Sequence, residues 1–507
     1  MKKIFLPLLF PLTVSMAIDF TMTPSGITAP IETNPTTEET TGSTPIATST
    51  KTNPYLEEVT LPSCDASNPE VQFIRSNADW STINRSDKRI FCVSPGDYRS
   101  LRHISLTSSG TAEKRRYIIL NNGNDTHPGK LDKSQLANYG LRLEHASYWV
   151  IDRWSNFDDN LPKALELSNG SSYNIINRAF TDNIAQSILI TDRSNNNTIQ
   201  NSRFQNMAHP YRVADGVCIS IMQWGADSYE TKNIKIINNE IVNQGDGFQS
   251  VRGPRYSDGL LQDGNCEGLI IDSNDIYIDE RIYTDGRGHY TPTGKYAYAE
   301  DAIDLKVGSE NPNNPIIITN NHMWGSRESD RTNSLLSSHG GLIVIHYGVK
   351  YLKIKQNLFF DSLAGIGSGD NNRFPYSLSE SEITDNLFVD IGLSNGVGGI
   401  SGKVFYFADQ NSQVMIKDNL LKDCRDQQAL FWTTSNFSYL NNTTINQEKS
   451  NINTSSLWKN SSSSVLIPEE NYTTEEALNL GYTNAYTFTT NTFTTSPKVI
   501  SLENTLK

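Results

Sequence analysis

This sequence lacks basic clusters, zinc-type cysteine motifs and membrane-spanning runs. The 507 residues carry a net charge of −13, and no patch of Lys or Arg is dense enough to bind nucleic acid through its phosphates. The five Cys form neither a Cys-x-x-Cys pair nor a Cys/His spacing typical of zinc sites. Beyond the N-terminus, no apolar run is long enough to cross a bilayer. These absences argue against nucleic acid and membrane as partners.

Helical periodicity is also nearly absent. Apolar residues with a period of 3.6 are rare, whereas short alternating or fully apolar runs are frequent from Val59 onward. This pattern argues against an α/β barrel and a Rossmann fold. A solenoid can reach this chain length as one body, because each of its coils contacts only its neighbours.

The first 17 residues have the features of a secretory signal peptide. Lys2 and Lys3 precede the apolar stretch 4–14, and small residues at 15–17 form a cleavage pattern. We therefore expect a secreted protein, either extracellular or periplasmic. Residues 18–58 are rich in Thr and Pro and have no apolar period, which predicts an extended flexible linker.

From about Gly140 a repeat emerges, in which an Ile is followed three residues later by Asn and five residues later by an apolar residue. Its copies are Ile236/Asn239/Ile241, Ile271/Asn274/Ile276, Ile318/Asn321/Met323, Ile354/Asn357/Phe359, Ile383/Asn386/Phe388 and Ile416/Asn419/Leu421. The Asn-to-Asn steps of 35, 47, 36, 29 and 33 residues indicate a regular strand joined by variable loops. We expect each Ile to point into the core. Each Asn should adopt a left-handed or turn conformation at a bend, where stacked Asn side chains hydrogen-bond to one another.

The predicted fold class is therefore all-β, a right-handed parallel β-helix of about ten coils. It covers residues 59–446 with an N-terminal cap, and residues 447–507 form a C-terminal capping segment. Cys64 and Cys92 flank the first folded segment, and the sequence leaves open whether they pair. Buried thiols are an equally good interpretation of the other three: Cys218, Cys266 and Cys424.

Carboxylates recur at one predicted corner of the coils. Alignment of the apolar strands places Asp215, Asp246 and Asp301 at equivalent positions, with Gly340 in the next coil. Adjacent parallel strands lie about 4.8 Å apart, and two carboxylates at that distance repel by roughly 3 kcal/mol at an effective dielectric constant near 20. Such a row needs compensation. Asp-Gly is also a common turn pair, and for Asp215 we favour turn capping.

One cation would compensate several of these charges. Residues 300–306 read Glu-Asp-Ala-Ile-Asp-Leu-Lys, and the strand period of two points Ile303 and Leu305 inward. Asp304 and Lys306 then face outward beside the corner. Oxygen ligands favour Ca²⁺ as the extracellular cation. The predicted ligands of this calcium site are Asp246, Glu300, Asp301 and Asp304.

This acidic segment resembles the calcium cluster of family 9 polysaccharide lyases, which are β-helix pectate lyases. The resemblance lies in Glu300-Asp301-x-x-Asp304 with Asp246 one coil earlier, and Glu300 replaces the family's first Asp. It implies that these four residues bind calcium and that a lysine removes the proton at C5 of a uronic acid.

The next coil offers no evident lysine at this corner, so Lys306 is the best local candidate for the base. A salt bridge from Lys306 to Asp304 is the alternative role. Arg252, His339 and His346 are further candidates for base or acid.

β-Elimination from a uronide explains why such groups belong together. A cation neutralises the C6 carboxylate, which makes the C5 proton acidic enough for a base to remove. A lysine beside calcium has its pKa lowered by like-charge repulsion. The resemblance thus implies a calcium-dependent lyase of an acidic polysaccharide, which we expect to be a monomer. Several aromatic residues could stack on sugars, although packing is their more common role: Trp224, Tyr283, Tyr290, Tyr296 and Trp324.

A weaker resemblance is to family 28 glycoside hydrolases, the polygalacturonases. Residues 300–309 and Ser338-His339-Gly340 are similar to the paired-acid and His-Gly segments of that family, whose carboxylates act as acid and base. A third possibility is a non-catalytic β-helix that binds glycans, such as an adhesin, with a structural calcium site. Elimination is favoured among the three, and the other two stay open.

Overall fold

The computed structural model describes residues 53–158, 163–207, 217–221, 230–243, 246–249, 256–257, 260–261, 265–277, 283–284, 295–296, 301–325, 341–345, 349–362, 364–368, 378–391, 404–407, 413–422, 424, 431–433, 436–440, 442–445, 458–460 and 470–472. The fold described below is that of the unit Tyr55–Thr473.

Short strands form three long parallel sheets, which the chain visits in the order sheet 1, sheet 2, sheet 3 within a coil. Each strand pairs with its equivalents in the coils before and after it. The predicted parallel β-helix is thereby confirmed. Among the residues that the structure describes, sheets 1 and 2 have 13 strands each and sheet 3 has 12. The helix thus has more coils than the repeat suggests, because early bends carry Trp154, Ala179 and Ser202 where later bends carry the repeated Asn.

The strands of sheet 1 are Val71–Ile74, Ile90–Val93, Arg116–Leu120, Trp149–Asp152, Ile175–Asn177, Thr198–Gln200, Lys235–Ile237, Ile270–Asp272, Ile316–Thr319, Leu352–Lys355, Ser381–Thr384, Gln413–Lys417 and Asn436–Leu440. Those of sheet 2 are Gly96–Asp97, Ala137–Asn138, Ser155–Phe157, Phe180–Ile184, Arg203–Met207, Glu240–Val242, Asp275–Tyr277, His322–Trp324, Leu358–Ser362, Leu387–Ile391, Leu420–Lys422, Thr443–Ile445 and Glu470–Tyr472.

Sheet 3 consists of His103–Leu106, Gly140–Glu144, Leu165–Ser168, Ile188–Ile190, Val217–Ile221, Asp246–Gln249, Asp301–Leu305, Gly341–Ile345, Ala364–Ser368, Phe405–Phe407, Phe431–Thr433 and Trp458–Asn460. Three further strand pairs lie outside these sheets: Tyr256–Ser257 with Leu260–Leu261, Tyr283–Thr284 with Lys295–Tyr296, and Val349–Lys350 with Leu378–Ser379. The helical elements are an α-helix, Asn77–Trp80, and the 3₁₀ turns Arg99–Leu101, Pro128–Lys130 and Lys133–Gln135.

The repeated Ile residues form the core. All six, from Ile236 to Ile416, have an exposed fraction of 0 % and belong to one apolar cluster along the axis. Burying such a side chain stabilises the fold by about 1.5–3 kcal/mol. The strand period of two places the neighbouring residues of each strand on the outer face, so the inward prediction is confirmed.

The bend between sheets 1 and 2 has two residues in every copy of the repeat. The second is the repeated Asn, and Asn274 Nδ2 donates to Asn321 Oδ1 at 2.9 Å and to the Ile236 carbonyl at 2.8 Å. The predicted ladder is confirmed. The left-handed conformation is instead adopted by the first bend residue, for example Asn320 with φ 55°. The left-handed alternative was therefore wrong for the repeated Asn, and the turn alternative is unaffected. Adjacent polar residues give the sequence no means of separating the two bend positions.

A disulfide fixes the start of the packed body. Cys64 is bonded to Cys92 with a Cα–Cα distance of 5.8 Å. Leu61 packs with them against Ile90 and Ile119 on the outer face of sheet 1. The pairing that the sequence left open is therefore present, and the other three cysteines are buried thiols: Cys218, Cys266 and Cys424.

The residues before this disulfide continue along the outer face of sheet 1. The backbone of Glu57 bonds twice to the Gln200 side-chain amide, at 3.0 and 2.9 Å, and its carboxylate lies 2.6 Å from Lys235 Nζ. The packed body therefore begins at Tyr55, a few residues before the predicted end of the linker.

Within the described ranges, no helix has the length and apolar composition needed to cross a membrane.

Candidate functional site

The connections that enter and leave the strands of sheet 3 differ in length from coil to coil. From Asp152 onward, sheets 1 and 2 are joined by two-residue bends, such as 238–239 and 320–321. The connections that enter sheet 3 vary from 243–245 to 278–300, and those that leave it include 222–234 and 306–315. Loops carry binding and catalytic groups more often than regular elements do. Sheet 3 is thus the natural place for a site.

The strand register brings two of the predicted ligands together. Asp246 lies directly across from Asp301 on the adjacent parallel strand, so their shared position is confirmed. Asp304 follows three residues later, across from Gln249 on one side and Val344 on the other. Only the path of the chain is described for Asp246. The role of these acids as calcium ligands stays a prediction.

Two other parts of the predicted alignment were wrong. Val217, rather than Asp215, lies across from Asp246, and Gly341, rather than Gly340, lies across from Asp301. A shift of two residues preserves the alternation of faces, so the apolar pattern does not detect it. The strand Gly341–Ile345 is apolar throughout, and no alternation fixes its register. Asp215 itself lies outside the described residues.

Asp301 and Asp304 are both withdrawn from water. Their exposed fractions are 2 % and 3 %, while Ile303 and Leu305 beside them belong to the core. A buried carboxylate is costly unless an opposite charge or hydrogen bonds compensate it. The Lys306 ammonium makes an ion pair with Asp304 Oδ2, which is the alternative role foreseen for this lysine. Lys306 therefore lies beside the acids and is engaged by Asp304, and its role as a base stays a prediction.

A glycine that the sequence reasoning did not single out leaves space beside Asp301. A Cβ atom on Gly341 would lie 2.8 Å from Val344 Cγ2 and 3.6 Å from Asp301 Oδ1. A side chain at position 341 would therefore press on Val344 of its own strand and fill the space next to the Asp301 carboxylate on the neighbouring strand. The feature that marks Gly341 is its position across from Asp301, and this position can be recognised only when the strand register is known.

Several predicted site residues lie outside the described ranges: Arg252, Glu300, His339 and His346, as well as the aromatic residues Trp224 and Tyr290. Among the residues that the structure describes, no three His, Cys, Asp or Glu side chains are grouped as a metal site. Two of the four predicted ligands, Glu300 and the side chain of Asp246, lie outside the described part of the structure.

Trp324 does not belong to the face of sheet 3. It lies on sheet 2, stacked between Tyr277 at 4.1 Å and Phe360 at 4.9 Å between ring centroids. Neighbouring rings thus cover both of its faces. Trp324 therefore has the packing role that is more common for such aromatic residues. Tyr283 and Tyr296 are register partners in the small hairpin that precedes Asp301.

Sheet 2 also carries a polar cluster that the sequence reasoning missed. His322 Nδ1 lies 2.7 Å from Asp275 Oδ1, and the Tyr277 hydroxyl donates to Glu240 Oε1 at 2.6 Å. Burial, reinforced by the Glu240 charge, raises the pKa of Tyr277 above its ordinary value. Neighbouring strands place these residues in contact although Asp275 and His322 are 47 positions apart. Each group has its partner here, which favours a stabilising role for the cluster.

No family model matches the sequence, and no curated protein matches it. Solved structures are similar in fold. Pectate lyase Pel9A has a TM-score of 0.35 and 12 % identity, covering 72 % of this chain and 73 % of its own. The catalytic domain of GH87 α-1,3-glucanase in complex with nigerose has a TM-score of 0.42 and 12 % identity, covering 82 % and 70 %. PfbA, a surface adhesin of Streptococcus pneumoniae, has a TM-score of 0.43 and 13 % identity, covering 73 % and 86 %.

These similarities concern the parallel β-helix alone. A lyase, a hydrolase and an adhesin are all among them, and folds do not determine function. At such identities and TM-scores they carry no argument about what this chain does, which has to come from its own residues.

Proposed function

We propose that this protein is a secreted, calcium-dependent polysaccharide lyase that cleaves a uronic-acid-containing polysaccharide by β-elimination. The observation that carries the proposal is the cross-strand pair Asp246 and Asp301, with Asp304 further along the strand of Asp301 and its partner Lys306 just beyond the end of that strand. In this arrangement adjacent carboxylates need a cation to compensate their charge, and a basic group lies beside them.

These acids supply the oxygen donors that a hard cation prefers. Asp246 and Asp301 occupy paired positions, and Asp301 and Asp304 are buried, so their charges are poorly screened. Glu300, adjacent in sequence, would supply a further carboxylate. Calcium held by these four acids would neutralise the C6 carboxylate of the substrate and acidify its C5 proton.

Lys306 is the group we assign to proton removal. Its ammonium is paired with Asp304, so it acts as a base only when that carboxylate is engaged elsewhere and the amine is neutral. The amine then takes the proton from C5, the electron pair forms the C4–C5 double bond, and the bond from C4 to the leaving oxygen breaks. The leaving oxygen needs a proton, and Arg252 and His339 remain our candidates for supplying it.

A second candidate function is glycan binding without cleavage. The ion pair favours it, because Lys306 compensates the charge of Asp304 and such a contact can serve stability alone. Hydrolysis of the polygalacturonase type rests on His339 and Glu300, which lie outside the described residues, and no described contact favours it.

The products distinguish these functions. The secreted chain is incubated with pectate, alginate and glycosaminoglycans, and absorbance of unsaturated uronides is followed together with the release of reducing ends. New absorbance supports the lyase. Reducing ends without absorbance would identify a hydrolase, and binding without either product would identify a glycan-binding protein. We expect the active species to be a monomer, which light scattering checks.

A further inference from the structure

Residues 121–136, called the flap below, leave sheet 1 after Leu120 and return to sheet 2 at Ala137. The flap lies against three later coils. Arg178 Nη1 donates to Asp125 Oδ1 at 2.9 Å, and Lys133 Nζ lies 2.7 Å from Asp158 Oδ2 and 3.0 Å from Asp182 Oδ2. Arg153 also donates to the Asn122 side-chain oxygen at 3.4 Å and to the Asn124 carbonyl oxygen. One histidine of the flap makes a further contact with the body.

His127 fastens the flap to the body through both ring nitrogens. Nε2 lies 3.0 Å from the carbonyl oxygen of Asn201, and Nδ1 lies 3.0 Å from the backbone nitrogen of Gly129. A carbonyl only accepts and a backbone N–H only donates, so Nε2 carries the hydrogen and Nδ1 is bare. The closed flap therefore requires the neutral ring. A second proton on Nδ1 would remove the acceptor for Gly129.

The surroundings oppose that second proton. His127 has an exposed fraction of 8 %, and its neighbours Lys130 of the flap, Arg178 of the bend and Arg203 of sheet 2 are all cations. Burial is the largest cause that lowers the pKa of His127, and the three cations lower it further. The hydrogen bond to Asn201 opposes them, and the resulting pKa is about 3. The nearby carboxylates are engaged elsewhere, Asp125 by Arg178 and Glu240 by Arg203 and Tyr277.

We infer that the flap is an acid-released latch: protonation of His127 is compatible with the open flap and not with the closed one. Gly129 of the flap lies against Arg203, since a Cβ atom at position 129 would be 3.1 Å from Arg203 Cδ. Opening therefore breaks the His127 contact to Asn201 and uncovers Arg203. This inference is independent of the proposed enzymatic activity, since none of these residues belongs to the site on sheet 3.

The sign of the pH effect follows from linkage. A lowered pKa in the closed state means that the open state binds more protons between about pH 6.5 and about pH 3, so acid favours opening in that window. Relative to pH 7.5, opening at pH 4.5 should be roughly 100-fold more populated.

Hydrogen exchange of the full chain, corrected for the intrinsic pH dependence of exchange, tests the latch. In the wild type, peptides from 121–136 should lose roughly 100-fold in protection between pH 7.5 and 4.5, while those from Leu165–Ser168 keep theirs. His127→Gln supplies an acceptor and a donor without a titrating group, so its flap should stay equally protected at both pH values. His103→Gln, which removes a histidine that contacts Lys163 instead, should behave as the wild type.

Two results would overturn the latch. One is flap protection in the wild type that does not change with pH, and the other is an acid loss in His127→Gln as large as in the wild type. If His127→Gln does not fold, an NMR titration of the histidines in the wild type tests the latch instead. Opening of the flap and protonation of His127 should follow the same pH curve, and titration near pH 6.5 with the flap still protected would contradict the latch.

Discussion

Asp301 lies directly across from Asp246 on the neighbouring parallel strand, with Gly341 on its other side. Strands in this arrangement are about 4.8 Å apart, and an exposed fraction of 2 % leaves Asp301 little water to screen the repulsion. A fold keeps two such acids together only if another charge compensates them. This relationship is the basis for the calcium-dependent lyase that we propose, and it leads to the predictions below.

Removing one carboxylate charge should weaken calcium binding. Asp301→Asn keeps the shape of the side chain, and we expect calcium affinity in titration calorimetry to fall at least tenfold, or about 1.4 kcal/mol. Asp304→Asn should act in the same direction. Asp275→Asn, which changes a buried strand aspartate of sheet 2, serves as the control and should leave calcium binding unchanged. Equal affinity in all three variants would place calcium elsewhere.

Lys306 competes with the cation for Asp304, and two substitutions separate its charge from its basicity. Lys306→Met removes the competing ammonium, so calcium affinity should rise while turnover is lost. Lys306→Arg keeps the ion pair but has no neutral form near neutral pH, so turnover should be lost with calcium affinity little changed. Turnover retained in either variant would assign the base to another residue.

The Asn ladder should contribute strongly to stability. Asn321 Nδ2 donates to the Ile271 carbonyl at 2.8 Å and to Asn357 Oδ1 at 3.0 Å. Asn321→Ala removes these bonds and leaves buried groups unsatisfied, so we expect a loss of at least about 2 kcal/mol in urea denaturation. Gln356→Gly, at the left-handed position of the next bend (φ 57°), should change stability by less than about 0.5 kcal/mol. Equal losses in the two variants would contradict this division of roles.

The disulfide should stabilise the N-terminal end of the β-helix. It closes a loop with a sequence separation of 28 residues, and replacing both Cys64 and Cys92 by Ser should reduce the free energy of unfolding by about 3 kcal/mol. A reductant should destabilise the wild type and have no effect on the double variant, which is the control for thiol effects elsewhere. Identical denaturation curves of oxidised wild type and double variant would show that the disulfide does not contribute.

The β-helix could be predicted because its signal repeats. Ile236 and Ile271 recur at one spacing from Asn239 and Asn274, and both the inward Ile and the Asn ladder follow from that spacing. The repeat does not mark the early coils, although the predicted β-helix covers them, because Trp154, Ala179 and Ser202 replace Asn at their bends. A ladder position filled by different side chains leaves no repeat to count.

The site could be predicted only in part because register depends on contacts between coils. Asp246 and Asp301 aligned correctly, and the apolar residues two positions later, Phe248 and Ile303, occupy one row. The same local pattern at Asp215 and Val217 was misaligned by two residues, because alternation constrains the face of a residue and not its register. The apolar strand 341–345 gave no such constraint. Contacts such as His322 with Asp275 join residues on different coils across a long connection, and no local pattern indicates them.

The most direct test of the central claim follows unsaturated uronide absorbance during incubation of the wild-type protein and Asp301→Asn with pectate and alginate. Each is assayed with calcium, with a chelator, and after calcium is restored. We predict absorbance from the wild type on at least one uronan, its loss with chelator, its return with calcium, and little signal from Asp301→Asn. Unchanged absorbance in the presence of chelator, or full activity of Asp301→Asn, would contradict the account.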